Sequence, residues 1–272
     1  MIRLYSHNIW GNMPKEARIS NRNDLIKELI GEVKPDFCNF QECNPKTSRA
    51  VDNAIQKIIA DKYAESNSAH AHENFTPVFY LKERFLELDG GFVLLEGLND
   101  ANSKSVTWGL FEDKEDGKMV AVVSTHFWWQ FRGDIDNEQR VANAVQIKGI
   151  CDKIIEKYGD IPVIVSGDLN SGENSPQSTS GYDAMIANGF VDARYIAEST
   201  TDTHTLHSYP VLTDDGTYVA GASETEGGER ERTIDYVFTY TQKPRITSFC
   251  VLDDQKARTT SDHSPLVVEF DI

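Results

Sequence analysis

The chain is short of positive charge. Its 272 residues carry 27 lysine and arginine side chains against 43 aspartate and glutamate, a formal net charge of −16. Affinity for a long polyanion comes largely from cations that neutralise phosphates, so a nucleic-acid strand is a disfavoured partner. A small phosphorylated substrate, captured by one local cation or a metal ion, stays open. Long hydrophobic runs are missing as well. None approaches the roughly 20 residues needed to span a bilayer, and no membrane partner is expected. Cysteine is sparse: Cys38, Cys43, Cys151 and Cys250 are scattered, with no pair at metal-type spacing. They read as reduced thiols, not as a disulfide framework or a zinc site. Internal repeats, low-complexity tracts and Pro/Gly/Ser-rich linkers are absent, which predicts a single domain over residues 1–272. No charged and then apolar leader precedes the strand-like Met1–Tyr5, which predicts a cytoplasmic protein.

What is present is an ordinary globular composition, 39% hydrophobic, with clear periodicity. Arg3–Asn8 reads as a strand. Apolar residues at helical spacing follow at Leu25, Ile26, Leu29, Ile30 and Val33, stopped by Lys34-Pro35. Phe37–Phe40 predicts a second strand running into Gln41-Glu42, and Val51, Ala54, Ile55, Ile58 and Ile59 a second helix. This opening argues for an α/β architecture. The middle differs: Pro77–Leu81, Phe85–Leu95, Val106–Phe111 and Met119–His126 read as strands, with turn signals at Asp89-Gly90-Gly91 and Asp116-Gly117. Short connections imply antiparallel pairing. A long helix is expected with Val141, Ala144, Ile147, Cys151, Ile154 and Tyr158 on one stripe, then a strand at Val163. A short helix at Ala184–Ala187 and strands at Thr233–Thr239, Ile246–Leu252 and Pro265–Phe270 complete the pattern. The Gly-rich, charged stretch 213–232 reads as an inserted loop.

The chemistry gathers at the strand ends. Val163-Ile164-Val165-Ser166-Gly167 is a buried-strand pattern that stops at a glycine, and Asp168 and Asn170 stand at its mouth. Alone, they could be an Asx turn that ends a strand. Other strand ends carry matching groups: Asn8, Glu42, Thr125-His126, Asp235 and Ser261-Asp262-His263. Singly these read as a turn former, a surface acid or a hydrogen-bonded histidine. Together they point to a site.

In this order and spacing, Asn8, Gln41-Glu42, Gly167-Asp168-Leu169-Asn170, Ile234-Asp235-Tyr236 and Ser261-Asp262-His263 resemble the endonuclease/exonuclease/phosphatase superfamily, from the first strand to the last. The resemblance implies a four-layer α-β-β-α sandwich, two mainly antiparallel sheets face to face with helices outside. It also implies metal-dependent hydrolysis of a phosphoester. Glu42 is then the first metal ligand, with Asn8 and Asp262 beside it, and the ion is Mg²⁺, with Mn²⁺ as the alternative. That suits a hard cation, which prefers one or two carboxylates, water and phosphate oxygens. By the same resemblance Asp168 orients or deprotonates the attacking water, and Asn170 positions it or the phosphate. His263, paired with Asp235, holds a phosphate oxygen, and His126 supplies a further contact.

Departures from the family pattern narrow the branch. The abasic-site nucleases carry an acidic residue where this chain has Trp10, and a tyrosine motif where it has Thr125-His126. The Thr-His form is similar to the phosphatase, sphingomyelinase and deadenylase-like branches. Thr107-Trp108, Arg140 and Thr205–His207 resemble a bacterial subgroup. Arg140 is expected either to reach the site from the long helix or to make a surface salt bridge. His207 and Trp128 are candidate substrate contacts. The string Phe127-Trp128-Trp129-Gln130-Phe131 reads as a stacking platform for a base or sugar, an interfacial anchor, or packing at the cleft edge. The expectation is a hydrolase of a small soluble phosphomonoester or phosphodiester, such as a sugar, inositol or nucleotide phosphate. A deadenylase- or exonuclease-like nuclease is the alternative. The alternative of another class is a catalytically silent binding module.

Overall fold

In the computed structural model, residues 1–11, 20–45, 54–201, 203–215, 218–219, 232–241 and 244–272 are described. The elements run β1 (Ile2–Asn8), α1 (Ser20–Val33), β2 (Phe37–Gln41), α2 (Ile55–Ile58), β3 (Tyr63–Glu65), β4 (Val78–Leu81), β5 (Phe85–Leu94), β6 (Ser105–Asp113) and β7 (Met119–His126). Then follow α3 (Asp134–Tyr158), β8 (Val163–Asp168), α4 (Ser180–Ala187), β9 (Val191–Asp192), α5 (Ala193–Ile196), β10 (Thr200–Thr201), β11 (Val211–Leu212), β12 (Tyr218–Val219), β13 (Asp235–Tyr240), β14 (Arg245–Val251), α6 (Gln255–Thr260) and β15 (Leu266–Asp271).

Two mixed sheets form an α/β sandwich. One has seven strands in the order β10-β14-β15-β1-β2-β4-β3, the other six in the order β5-β6-β7-β8-β13-β9. Most pairings are antiparallel; β1–β2, β7–β8 and β10–β14 are parallel. Three apolar clusters mark the layers. Leu4, Phe37, Val122, Ile164, Val237 and Val268 fill the space between the sheets. Ala144, Ile147, Cys151 and Met185 pack α3 and α4 against the six-stranded sheet. Ile26, Ile30 and Ile55 pack α1 and α2 against the other sheet, over Tyr5, Cys38 and Phe40.

Side chains alternate along a strand with period two, and the inter-sheet face changes character along its length. Leu4 gives way to Ser6 and Asn8, Phe37 to Asn39 and Gln41, Val122 to Ser124 and His126, and Ile164 to Ser166 and Asp168. The polar half is stitched across the sheets. Asn39 Nδ2 donates to Ser166 Oγ (2.9 Å) and Val123 O (3.2 Å), and Gln41 Nε2 to Ser124 Oγ (3.1 Å). Register then aligns the end groups: His126 lies opposite Asp168, and Asp168 opposite Asp235.

Two expectations are corrected. Asp89-Gly90-Gly91 is not a turn; β5 runs through it with a register shift between Glu87 and Asp89. Those glycines answer a close approach, since a Cβ on Gly91 would lie 2.4 Å from the Trp108 indole nitrogen. Val141 does not join the buried stripe of α3 and is 41% exposed. The first three turns of α3 instead bury Asp136, Gln139, Arg140 and Asn143. Tyr218–Val219, within the 213–232 stretch, pairs antiparallel with Val211–Leu212. Most of that stretch, residues 216–217 and 220–231, lies outside the described residues, as does Val51 of the second expected helix.

Gly167 tests the seam between β7 and β8. A Cβ there would sit 2.0 Å from the Thr125 carbonyl oxygen, so the backbone itself would have to move. Gly167→Ala is expected to lose about 1–3 kcal/mol in urea unfolding, the range of overpacking with backbone shift. A loss under about 0.5 kcal/mol would contradict this reading of the seam.

Candidate active site

Asp168 stands at the centre of the cluster and is almost fully buried, with 1% exposure. Its Oδ2 accepts from Asn8 Nδ2 of the opposite sheet at 2.9 Å, and its Oδ1 from the Asn170 backbone N–H at 2.7 Å. His126 Nε2 is 3.4 Å from Oδ2 and His263 Nε2 3.9 Å. Burial alone pushes the Asp168 pKa up. The hydrogen bond and charge of His126, the charge of His263 and the Asn170 N–H outweigh burial and hold it below the usual carboxylate range. The group therefore stays ionised. Asn170 takes a left-handed backbone, φ +48°, which lets its side chain turn back. Its Nδ2 lies 3.0 Å from His126 Nε2 and donates to Phe127 O at 3.2 Å.

His263 precedes β15 and meets Asp235 of β13, Nδ1 to Oδ2, at 2.8 Å. Desolvation opposes its charge, but Asp235, Asp262 and Asp168 raise its pKa well above the ordinary imidazole value. Thr205 Oγ1 accepts from the Ile234 and Asp235 N–H groups and so fixes this end of β13.

Glu42 follows β2 in a left-handed conformation, φ +56°. This is an uncommon state for glutamate, and such outliers gather at functional sites. Asn8 Nδ2 reaches it at 3.4 Å. Asp262 is buried, and its hydrogen bond from Ser261 Oγ is long, 3.4 Å. Burial first, with the Glu42 charge adding to it, pushes its pKa up to about 6. Two oxygen-rich groups therefore face the cleft. Asp168, Asp235 and His263 have ligand atoms within 4.8 Å of one another and could hold a cation. Taking His263 as a ligand would, however, need its neutral form, against the charges of Asp235, Asp262 and Asp168 that favour the imidazolium. Glu42 and Asp262, poorly satisfied and all-oxygen, suit a hard cation without that cost.

These residues open into a cavity of about 620 Å³, lined by Glu42, Asp168, Asn170, Asp262, His263 and His207. Trp10, Trp129, Phe131 and Tyr209 form its aromatic walls, with Trp10 stacked on Tyr209 at 4.8 Å. Two candidates lie elsewhere. Trp128 is 5% exposed and turns inward, its indole N–H donating to Asp136 Oδ1 at 2.6 Å, so its neighbour Trp129 faces the cleft. Arg140 neither lines the cavity nor makes a surface salt bridge. It is fully buried and donates to Trp128 O (3.0 Å), Gln130 O (2.7 Å) and Asn137 Oδ1 (3.1 Å), with Phe131 stacked on it at 4.6 Å. It shapes the aromatic loop. One site residue carries no motif: Lys104, just before β6, lines the cavity and is 3% exposed. An isolated lysine after a loop carries no periodic signal, though its place just before a strand end was a clue.

The sandwich and this carboxylate–amide–histidine cluster define a phosphoesterase in general. A sequence profile of the Endonuclease/Exonuclease/phosphatase family matches residues 5–263, and the chain belongs to that family. No curated protein matches it. Among solved structures it is similar to an endonuclease/exonuclease/phosphatase from Bacteroides vulgatus, at 22% identity over 100% of this chain and 98% of the other, TM-score 0.71. The mannosyl-6-phosphatase of Bacteroides thetaiotaomicron shares 18% identity over 100% of both chains, TM-score 0.69. The catalytic domain of human Nocturnin, solved with bound sulfate, shares 19% over 99% and 94%, TM-score 0.65. At these identities the likeness establishes the fold.

Two substitutions test the support behind the walls. Arg140→Met removes the donor to one buried and one part-buried carbonyl, Trp128 O and Gln130 O, and should cost about 1–3 kcal/mol in urea unfolding. Asp136 is held ionised into strong acid, chiefly by the Arg132 side chain and with help from the Trp128 indole. A depressed folded-state pKa gives stability that is present above the ordinary carboxylate value and is lost as pH falls through the depressed one. The stability gap between wild type and Asp136→Asn should therefore be full at pH 7 and shrink below about pH 4. A gap independent of pH would contradict the assignment.

Proposed function

We propose that this chain is a metal-dependent hydrolase of a small soluble phosphoester, a phosphomonoester or phosphodiester of a sugar, inositol or nucleotide. In this reading residues 1–272 act as one cytoplasmic catalytic domain, with 213–232 as an inserted loop. The observation that carries it is the convergence of Asp168, Asn170, His263, Glu42 and Asp262 on one cavity, with His126 against Asp168 and Asp235 against His263 behind them. Its volume, about 620 Å³, falls in the range of small-ligand sites. Four carboxylates line it, from Glu42, Asp100, Asp168 and Asp262, against Lys104 and Arg232 as full cations. A wall of that sign is a poor track for a nucleic-acid strand. Among the described residues no helix is long and apolar enough to cross a membrane.

Mg²⁺ is the proposed ion, held by Glu42 with Asp262 and Asn8, and it supplies Lewis-acid stabilisation of the phosphoryl oxygens when bound. Asp168, kept ionised, orients the attacking water, and Asn170 fixes the geometry. His263, charged through its pairing with Asp235, donates to a phosphate oxygen; His126 adds a contact. Trp129 and His207 face the rest of the substrate. The aromatic walls also suit stacking on a nucleobase, which keeps a nuclease as the second reading.

The test is phosphate release from a panel of sugar, inositol and nucleotide phosphates with Mg²⁺ or Mn²⁺, beside a labelled oligonucleotide. Turnover of small phosphoesters is expected, with kcat lowered about 10²- to 10⁴-fold in Asp168→Asn and His263→Ala. Cleavage of the oligonucleotide alone would favour the nuclease. No turnover, with no Mg²⁺ effect on Tm, would favour a silent binding module. Glu42→Gln should abolish the Mg²⁺-induced rise in Tm, and an undiminished rise would remove Glu42 from the metal site.

A further inference from the structure

A lysine with 3% exposure is uncommon, because burial penalises its charge unless an anion compensates. Lys104 has no carboxylate within 4.0 Å among the described residues. Its Nζ lies 3.0 Å from His126 Nε2 and 3.2 Å from Nδ1, against a ring that can accept from it at one nitrogen at most. An ammonium has three donors and no acceptor. Glu42, Asp168 and Asp100 act on it from further away: burial pulls its pKa down and these three charges oppose that pull.

The placement is not accidental to the loop. Lys104 N–H donates to Asn99 Oδ1 (3.0 Å), Asn99 Nδ2 to Lys104 O (2.8 Å), and Leu95 N–H to the same carbonyl (2.9 Å). Gln139 of α3 pins the loop at both sides of Gly97, donating to Glu96 O (2.8 Å) and accepting from Leu98 N–H (2.7 Å). Much of the loop's hydrogen bonding holds one cation at the wall of the cleft, in reach of His126 and with donors to spare.

We propose that Lys104 binds the phosphoryl group of the substrate, and that its charge favours the dianion of a phosphomonoester over the monoanion of a diester. This rests on the phosphoester reading given above. A charge-assisted bond from a buried ammonium grows with the charge of its partner. Replacing Lys104 therefore costs a monoester more than a diester. His263, whose charge is internally paired with Asp235, and the metal serve both substrates.

The experiment uses the full chain with Mg²⁺, wild type and Lys104→Met. Binding of inorganic phosphate is read by calorimetry, and kcat/KM on p-nitrophenyl phosphate and bis-p-nitrophenyl phosphate. Phosphate affinity is expected to fall about 10- to 100-fold in Lys104→Met, with a larger fall in kcat/KM for the monoester than for the diester. Unchanged phosphate affinity in folded Lys104→Met, or equal falls on both esters, would overturn the assignment. Should Lys104→Met not fold, wild-type protein labelled with ¹³C at lysine Cε carries the test. The signal missing from Lys104→Arg is that of Lys104, and it should shift on addition of phosphate; no shift would overturn the proposal. If the wild type binds phosphate through Lys104 yet turns over neither ester, the hydrolase reading fails and the binding assignment stands. If it turns over esters and Lys104→Met binds phosphate normally, only the assignment fails.

Discussion

One buried carboxylate sets the terms for this structure. Asp168 has left water almost completely, at a cost of several kcal/mol for an unpaired ion, and it is ionised. What makes that tolerable comes from three directions: an amide from the facing sheet, a backbone N–H from its own turn, and the histidine alongside on β7. Each donor requires a separate feature of the fold. Asn8 must arrive at the end of β1, so the two sheets must close at this end. Asn170 must adopt the left-handed backbone, and β7 must run parallel to β8 in the register that pairs His126 with Asp168. Gly167 allows that register, because the Thr125 carbonyl occupies the space where a side chain would begin.

The same strands therefore do two jobs in succession. Their apolar halves fill the inter-sheet core, where a buried Phe, Leu, Ile or Val contributes about 1.5–3 kcal/mol. Their polar halves contribute little net stability but make the site rigid, through Asn39, Gln41, Ser124 and Ser166 bonded from sheet to sheet. Rigidity matters here, since a phosphoryl-transfer site works mainly by positioning and by preorganised charge. The functional groups sit on strand ends with a hydrogen-bonded lattice beneath them. A similar lattice, built from Asp136, Arg140 and Asn143 on α3, supports the aromatic wall.

Most of this was legible in the sequence because it is local and periodic. Strand patterns predict an α/β architecture with polar groups at the strand ends, and the family resemblance implies the sandwich; in the structure Glu42 and Asp168 line the cavity, while Asn8 and His126 lie against Asp168 and Asp235 against His263. What was not legible depends on facing, which a single sequence leaves open. Trp128 and Trp129 are chemically alike, and only the carboxylate of Asp136 decides which turns inward. Arg140 reads as a charge on a helix surface until the carbonyls of the aromatic loop are seen around its guanidinium. Val141 follows the apolar period of α3, yet the helix there buries polar groups against that loop. Gly90 and Gly91 look like a turn because what crowds them, the Asn67 side chain and Trp108 carbonyl at Gly90 and the Trp108 indole at Gly91, is distant in the sequence. Lys104 belongs to no pattern, and its meaning comes from burial.

The net charge of −16 and the cleft's chemistry are parts of one balance. Glu42 and Asp262 face each other's fields at the mouth, and Asp262 is pushed up to about 6 by burial and that repulsion. An all-oxygen pair of this kind suits a hard divalent cation. The paired His263 and the buried Lys104 place positive charge deeper in the cleft, beside Asp168 and His126. A substrate of the proposed kind would have to pass an acidic surface to reach them, so its recognition would fall to contacts made inside the cavity. That arrangement suits a small ligand that fits the cavity, because a long strand would leave most of its phosphates against the acidic exterior.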